Sequence, residues 1–235
     1  MRNLTILRYR IWGENMKSIV FTAGSSYARF RCPHTTTSAL TFMTIHPVAV
    51  KGLIGAVMGI DYGDLYNFTK DIRIGIQVLN PVYKDMQSFN LVAMVKNNGA
   101  ANFQSRVQFL RDVKYRLFVA GMGEKLQEFE NVLKTKQYIF TPYLGCSEHI
   151  AKLNFEGVYD IIPTDEQDSD TIVPKEFAVL DDENDIQVLV DRIPVKNSEE
   201  REYIEYCKVA FTPGRKIKIS GCNIVRVGEY NVFFF

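Results

Sequence analysis

The chain is poor in the residues that most enzymes place at a reacting centre. Its 235 residues include three histidines (His34, His46 and His149), four cysteines and one tryptophan. Cys32, Cys146, Cys207 and Cys222 are scattered, with no CxxC and no Cys/His ligand spacing. This argues against a structural zinc and fits reduced thiols in a cytoplasmic protein. No apolar run approaches the roughly 18 residues that a membrane-spanning helix needs, so a soluble chain with no membrane partner is expected. GSS at Gly24 lacks the GxSxG setting of a hydrolase elbow, and GLIGAVMG lacks the Lys-Ser/Thr pair that completes a phosphate loop. The acidic clusters lack EF-hand spacing. Neither a metal nor a cofactor is expected.

What is present is a large apolar fraction, 46% of residues, enough for a substantial core in one large domain or two small ones. The net charge of +1 conceals an asymmetry. Residues 1–136 carry 18 Lys/Arg against 9 Asp/Glu, whereas residues 137–235 carry 10 against 18. A basic first half points to a polyanion as its partner.

Residues 1–15 are basic and hold the lone Trp12, but they have neither a continuous apolar stretch nor a small-residue cleavage site; they read as an N-terminal extension. Lys17 to Phe21 reads as a buried first strand, followed by turn chemistry at Gly24, Ser25 and Ser26. Tyr27, Arg29, Phe30 and Arg31 then interleave rings with cations, and Thr35, Thr36, Thr37 and Ser38 add hydroxyls. His46 fits a helix cap and Pro47 the first helical position, so this loop resembles an anion site. In the helix that follows, Gly52, Gly55, Ala56 and Gly59 share one face. Each internal glycine costs about 1 kcal/mol against alanine. That face therefore needs a close neighbour: its own sheet, a nucleic-acid backbone or a partner chain.

Alternation of Ile72, Ile74, Ile76 and Val78 with Arg73, Gly75 and Gln77 predicts a strand ended by Pro81. Two extended runs over residues 86–120 flank Asn98-Gly99, a strong hairpin signal whose tip would carry Lys96, Asn97, Asn98, Asn102, Phe103 and Gln104. Leu126, Phe129, Val132 and Leu133 mark an amphipathic helix. A strand is expected at Tyr138–Phe140, then a Pro142/Gly145 turn, a Ser147 cap and another strand. The order strand, helix, strand, strand, helix, strand is the split βαβ pattern of a ferredoxin-like, α+β domain. Beyond it, 11 acidic residues and one basic residue lie between Asp160 and Asp191. They read as solvated loops or a face for a basic partner. Short β-like runs follow, with the segment after Ser198 open to helix or strand.

Several ordered motifs carry a resemblance: FTAGSSYARFRCPHTTTSALTF, VKGLIGAVMGID, SRVQFLRDVKYRLFV, FTPYLGCSEHIA and the ending VGEYNVFFF. Together they resemble CRISPR-associated Cas family five, a RAMP-superfamily subunit of type I Cascade. The resemblance implies a ferredoxin-like (RRM-like) palm over residues 16–160, a projecting β-hairpin thumb at about 86–120, and a smaller β-rich region with acidic loops over 161–235. It also implies binding of the 5′ handle of CRISPR RNA and contact with the backbone RAMP subunit and the large subunit, with contact to target DNA left open. For RNA the candidates are Arg29, Arg31, Lys51, Arg106 and Arg111 on phosphates, Thr35, Thr36 and Gln104 in support, and Tyr27 and Phe103 for stacking. Tyr143, Gly145 and Ser147 are candidates for RNA binding or for buttressing the loop, with core packing the preferred reading of Tyr143 and Leu144. One branch of the family cuts its RNA with a Tyr, Lys and His set, but this sequence has no Lys-His dipeptide near the hairpin. A non-catalytic subunit is expected, the alternative being a metal-independent endoribonuclease using Tyr27, His34 and Lys51.

Overall fold

A computed structural model describes residues 16–35, 38–92, 102–179 and 187–235. The expected N-terminal extension, the hairpin tip, Thr36 and the acidic run at 181–185 lie outside the described residues, as does the side chain of Phe103. The fold is mixed α/β around an eight-stranded sheet among the described residues.

At the centre of the sheet lies β1 (Lys17–Ala28), paired antiparallel with β5 (Asn102–Ala120) on one side and β6 (Lys152–Pro163) on the other. The strand runs through Gly24–Ser26, where the sequence had suggested a turn. Both faces of β1 are buried from Ser18 to Ala23, which explains the apolar run Ile19, Val20, Phe21. Ile19, Phe21 and Ala23 join Leu117 and Val119 in the main core, while Val20 and Phe118 join a second cluster with Val225, Val227 and Val232. The opposite edge of β5 is shared by β3 (Arg73–Val78) and β4 (Tyr83–Val92), so four strands run β3, β5, β1, β6, each antiparallel to its neighbour. The two runs of the expected hairpin are thus found, Tyr83 opposite Arg111 and Val92 opposite Asn102. A two-residue strand, β2 (Ser38–Ala39), lies parallel to β5 beside Arg106 and Val107.

Helix α1 (Pro47–Met58) connects β1 to β3 and begins as its sequence dictates: His46 Nδ1 accepts the Ala49 N–H at 3.1 Å, and Pro47 occupies the first turn. Its buried face is Val50, Leu53, Ile54, Val57 and Met58. The glycine face does not pack on the sheet. Gly55 lies under Leu65 of α2 (Leu65–Thr69), Gly59 closes the helix at φ +69 against Ile139, and a side chain at Gly52 would meet nothing within 4 Å. Close approach therefore comes from a short helix and a loop, because the aliphatic face alone already covers the strands. Helix α3 (Leu126–Thr135) buries Phe129 and Leu133, with Phe129 edge-on to Phe21 at 5.8 Å.

Residues 138–140 form no strand. Their backbone instead caps the last turn of α1, Ile139 N–H on Val57 C=O at 3.3 Å and Phe140 N–H on Ala56 C=O at 3.0 Å, which leaves both side chains exposed. Nor does Ser147 cap a helix: it is exposed and contacts the Glu148 carboxylate at 3.4 Å in a turn. After Ser198 the chain forms a hairpin, not a helix, of β9 (Leu189–Asn197) and β10 (Tyr203–Phe211). It is joined by β8 (Val173–Pro174), while β7 (Asp168–Ser169) pairs with β11 (Ile217–Lys218). Ile193, Val209 and Phe211 of that hairpin enter the main core.

The last residues reach both edges of the sheet. β12 (Val225–Val227) extends β6 and pairs with β13 (Tyr230–Val232), and the chain then crosses to β3, where Phe235 and Ile74 exchange two backbone hydrogen bonds of 3.0 and 3.1 Å. Arg116 ties the sheet laterally. It grips Glu156 with two nitrogens, at 2.6 and 3.2 Å, donates to Gln77 at 2.7 Å, and lies 4.4 Å over the Tyr230 ring. Among the described residues no helix is long and apolar enough to cross a membrane.

Candidate nucleic-acid interface

Where β1 ends, the chain runs Arg29, Phe30, Arg31 toward the start of α1. Phe30 turns into the core, which leaves the two flanking arginines on the other side. Across from them lie Lys51 and Gly52 on α1, Tyr66 on α2 and the β9–β10 turn with Asn197, Arg201 and Tyr203. These elements enclose a cleft of about 450 Å³. Among the described residues Arg29, Arg31, Lys51 and Arg201 line it, and no carboxylate does. Such an arrangement attracts anions, because field lines from like charges converge where low-dielectric walls limit screening.

The loop over residues 142–151 forms one wall. Tyr143 bridges Ile150, Leu144 N–H donates to His149 C=O at 2.8 Å, and the loop clasps β1 through Arg29 N–H on Leu144 C=O at 3.1 Å. Gly145 makes this closure possible: its φ is +86, and a Cβ there would lie 1.8 Å from the Arg29 carbonyl oxygen. Leu144 is fully buried, as expected for core packing, whereas Tyr143 is 47% exposed and lines the cleft instead. Arg29 Nε is buried without a hydrogen-bond partner. Burial pushes the Lys51 pKa below its ordinary value, Asp71 opposing and Lys196 adding to the shift.

The candidates drawn from sequence thus divide. Arg29, Arg31, Lys51, Tyr143 and Gly145 converge on the cleft. A second group follows β5 toward the hairpin: Gln104, Arg106 and Arg111 are exposed there, and Arg111 stands between its cross-strand neighbours Tyr27 and Tyr83, 5.7 Å over the Tyr83 ring. Thr35 is held apart. Its hydroxyl donates to Cys32 C=O at 3.0 Å and accepts from Leu40 N–H at 3.2 Å, so it shapes the loop and its proton is committed. Arg201 was missed because it stands within Glu199-Glu200-Arg201-Glu202 in the acidic half; only the hairpin turn, with Arg201 at φ +67 and stacked 4.5 Å over Tyr62, brings it to the basic half.

Tyr27, His34 and Lys51 have different neighbours. Tyr27 packs on Phe109 and His149, with centroids at 6.3 and 6.2 Å; His34 lies 5.5 Å from Tyr206; Lys51 faces the cleft. His46 is fully buried among Phe30, Phe42 and Tyr203, which pushes its pKa down to about 3 and keeps it neutral.

This architecture is found in solved CRISPR proteins. A chain of a CRISPR RNA-guided surveillance complex superposes with a TM-score of 0.55 at 13% identity, covering 87% of this chain and 91% of that one. A CRISPR protein from Archaeoglobus fulgidus superposes with a TM-score of 0.50 at 11% identity, covering 92% and 98%. No curated protein gives a significant sequence match. The sequence itself matches the family described as CRISPR-associated protein (Cas_Cas5) over residues 18–206. The chain belongs to that family.

Proposed function

We propose that this chain is a non-catalytic, CRISPR RNA-binding subunit of a surveillance complex of the type I Cascade kind. In this reading residues 16–160 form the ferredoxin-like palm, a reading supported by the strand order β3, β5, β1, β6 with helices in both crossovers. The hairpin of β4 and β5 is the thumb. The cleft receives the 5′ handle of the RNA, and the acidic second half and exposed apolar loops face the backbone and large subunits, with target DNA a further candidate partner. The observation that carries this reading is the cleft itself, where four cations from three separate segments meet without a carboxylate among the described residues. Absence of catalysis is supported by the different surroundings of Tyr27, His34 and Lys51.

The test is binding of a 5′-handle RNA to the full chain across a salt series. Four neutralised phosphates correspond to a slope of about −2.8 in log K against log salt for a single strand. Arg29→Ala with Arg31→Ala should halve that slope to about −1.4. Salt-independent binding, or an unchanged slope in the double variant, sinks the proposal. Incubating repeat RNA with the protein in EDTA separates the endoribonuclease alternative, which requires cleavage.

A further inference from the structure

The turn between β9 and β10 brings to the cleft a cation from the acidic half of the chain. Ser198 N–H donates to Glu202 C=O at 2.9 Å, Arg201 N–H to Ser198 C=O at 3.1 Å, and Glu202 N–H to Ser198 Oγ at 3.2 Å, so the turn closes on itself. Its left-handed position, at φ +67, falls on Arg201, where a glycine would be less strained. Carboxylates crowd the sequence on both sides of the contact: Glu199, Glu200 and Glu202 beside Arg201, and Asp61 and Asp64 beside Tyr62 on the connection between α1 and α2. Among the described residues Arg201 pairs with none of them. Its guanidinium lies instead over the Tyr62 ring, 4.5 Å from the centroid. Tyr62 is 68% exposed, so this ring adds little to the core.

A guanidinium stacked on a ring is held by its flat face, while its N–H donors lie in the plane and stay open to a phosphate. Among the described residues those of the Arg201 guanidinium make no hydrogen bond, and the side chain lines the cleft with Arg29, Arg31 and Lys51. Without the ring the neighbouring carboxylates would compete for the same donors, and an Arg–carboxylate pair would cancel the charge that the cleft presents. We infer that Tyr62 is a positioning residue: its ring holds the Arg201 guanidinium away from the adjacent carboxylates, so that the in-plane donors clamp a phosphate of a strand lying in the cleft. This inference rests on the RNA-binding reading above. It adds to that reading a preformed clamp assembled from opposite halves of the chain.

The experiment is the salt series with the 5′-handle RNA, run on the full chain and on Arg201→Gly, Tyr62→Leu, Tyr62→Phe and the double variant Tyr62→Leu with Arg201→Gly. Losing one phosphate contact should make the slope shallower, from about −2.8 to about −2.1, in Arg201→Gly and equally in Tyr62→Leu. Tyr62→Leu should also bind about two- to five-fold more weakly at fixed salt, the range for an exposed cation–ring contact. Tyr62→Phe keeps the ring and should keep the parent slope, and the double variant should lose no more than either single one. Glycine relieves the left-handed strain at position 201 and Tyr62 is exposed, so both replacements leave the fold intact, as melting curves verify. A contact that only staples the two loops would lower the melting temperature of Tyr62→Leu and leave its slope at the parent value, which overturns the inference. So would Tyr62→Phe behaving as Tyr62→Leu does, because the hydroxyl and not the ring would then be responsible. If Arg29→Ala with Arg31→Ala leaves the slope unchanged as well, the failure lies with the RNA-binding reading itself.

Discussion

Replacing Gly145 by alanine tests whether the wall loop is held to β1 as tightly as the geometry requires. The added Cβ would lie 1.8 Å from the Arg29 carbonyl oxygen, and the obstacle is backbone, not the movable end of a side chain. At φ +86 an L-residue is also strained, by about 1–2 kcal/mol. Relieving the clash means lifting the loop, which breaks the bond from Arg29 N–H to Leu144 C=O and loses about 1 kcal/mol more. The total is about 2–3 kcal/mol. With an unfolding entropy of about 2.1 cal/mol/K per residue, 235 residues give roughly 0.5 kcal/mol/K, hence a fall in Tm of about 4–6 °C. The control is Gly52→Ala, where a Cβ meets nothing within 4 Å and the better helix former should gain about 1 kcal/mol. Circular dichroism melts compare the pair. A Gly145→Ala protein melting within about 2 °C of the parent would refute the reasoning, because neither strain nor clash would then be present.

Two further perturbations address the core of the sheet. Arg116→Ala leaves Gln77 and Glu156 without their donor and removes the ring contact with Tyr230, a loss of about 2–3 kcal/mol; urea unfolding should show it, and combining it with Glu156→Gln should add little, whereas full additivity would mean that the pair does not act as a unit. His46 gives a pH dependence whose sign is fixed. Its folded pKa of about 3 lies below the unfolded value near 6.5, so its contribution is complete above about pH 6.5 and is lost as pH falls toward 3, by about 1.4 kcal/mol per pH unit. His46→Asn keeps a neutral capping acceptor; between pH 7 and pH 5 it should lose about 2 kcal/mol less stability than the parent in urea titrations, and equal losses would show that His46 is not the group responsible.

Local signals carried much of the fold. Alternation through residues 72–78 marked β3, His46-Pro47 marked the start of α1, and Asn98-Gly99 marked the connection between the two paired strands β4 and β5. The failures arose where a segment is stabilised by something distant in sequence. Tyr138–Phe140 has β propensity, yet its N–H groups are taken by the carbonyls of α1 some 80 residues earlier, so no strand forms. The glycines of α1 pointed correctly to a close neighbour but could not say that it was Leu65 and Ile139. Three of the four cations in the cleft were legible, and the fourth was missed for a related reason. Arg29, Arg31 and Lys51 stand in the basic half, while Arg201 is hidden by the acidic residues beside it and reaches the cleft through the turn between β9 and β10. Charge counted along a chain averages over such turns; charge counted around a cavity does not.

The bonds between Phe235 and Ile74 set an order on folding. The edge of β3 is made early in synthesis, yet the residues that cover it, Ile172 on Ile76, Gly214 on Val78 and Phe235 on Ile74, follow some 95 to 160 residues later, so the edge closes in steps and its Ile74 end stays open on the ribosome longest. Contacts this remote in sequence are entropically costly to close and slow the last step of folding. During that interval the exposed edge presents unpaired backbone groups to other chains, and nascent protein is exposed to strand pairing with a neighbour until the tail has docked.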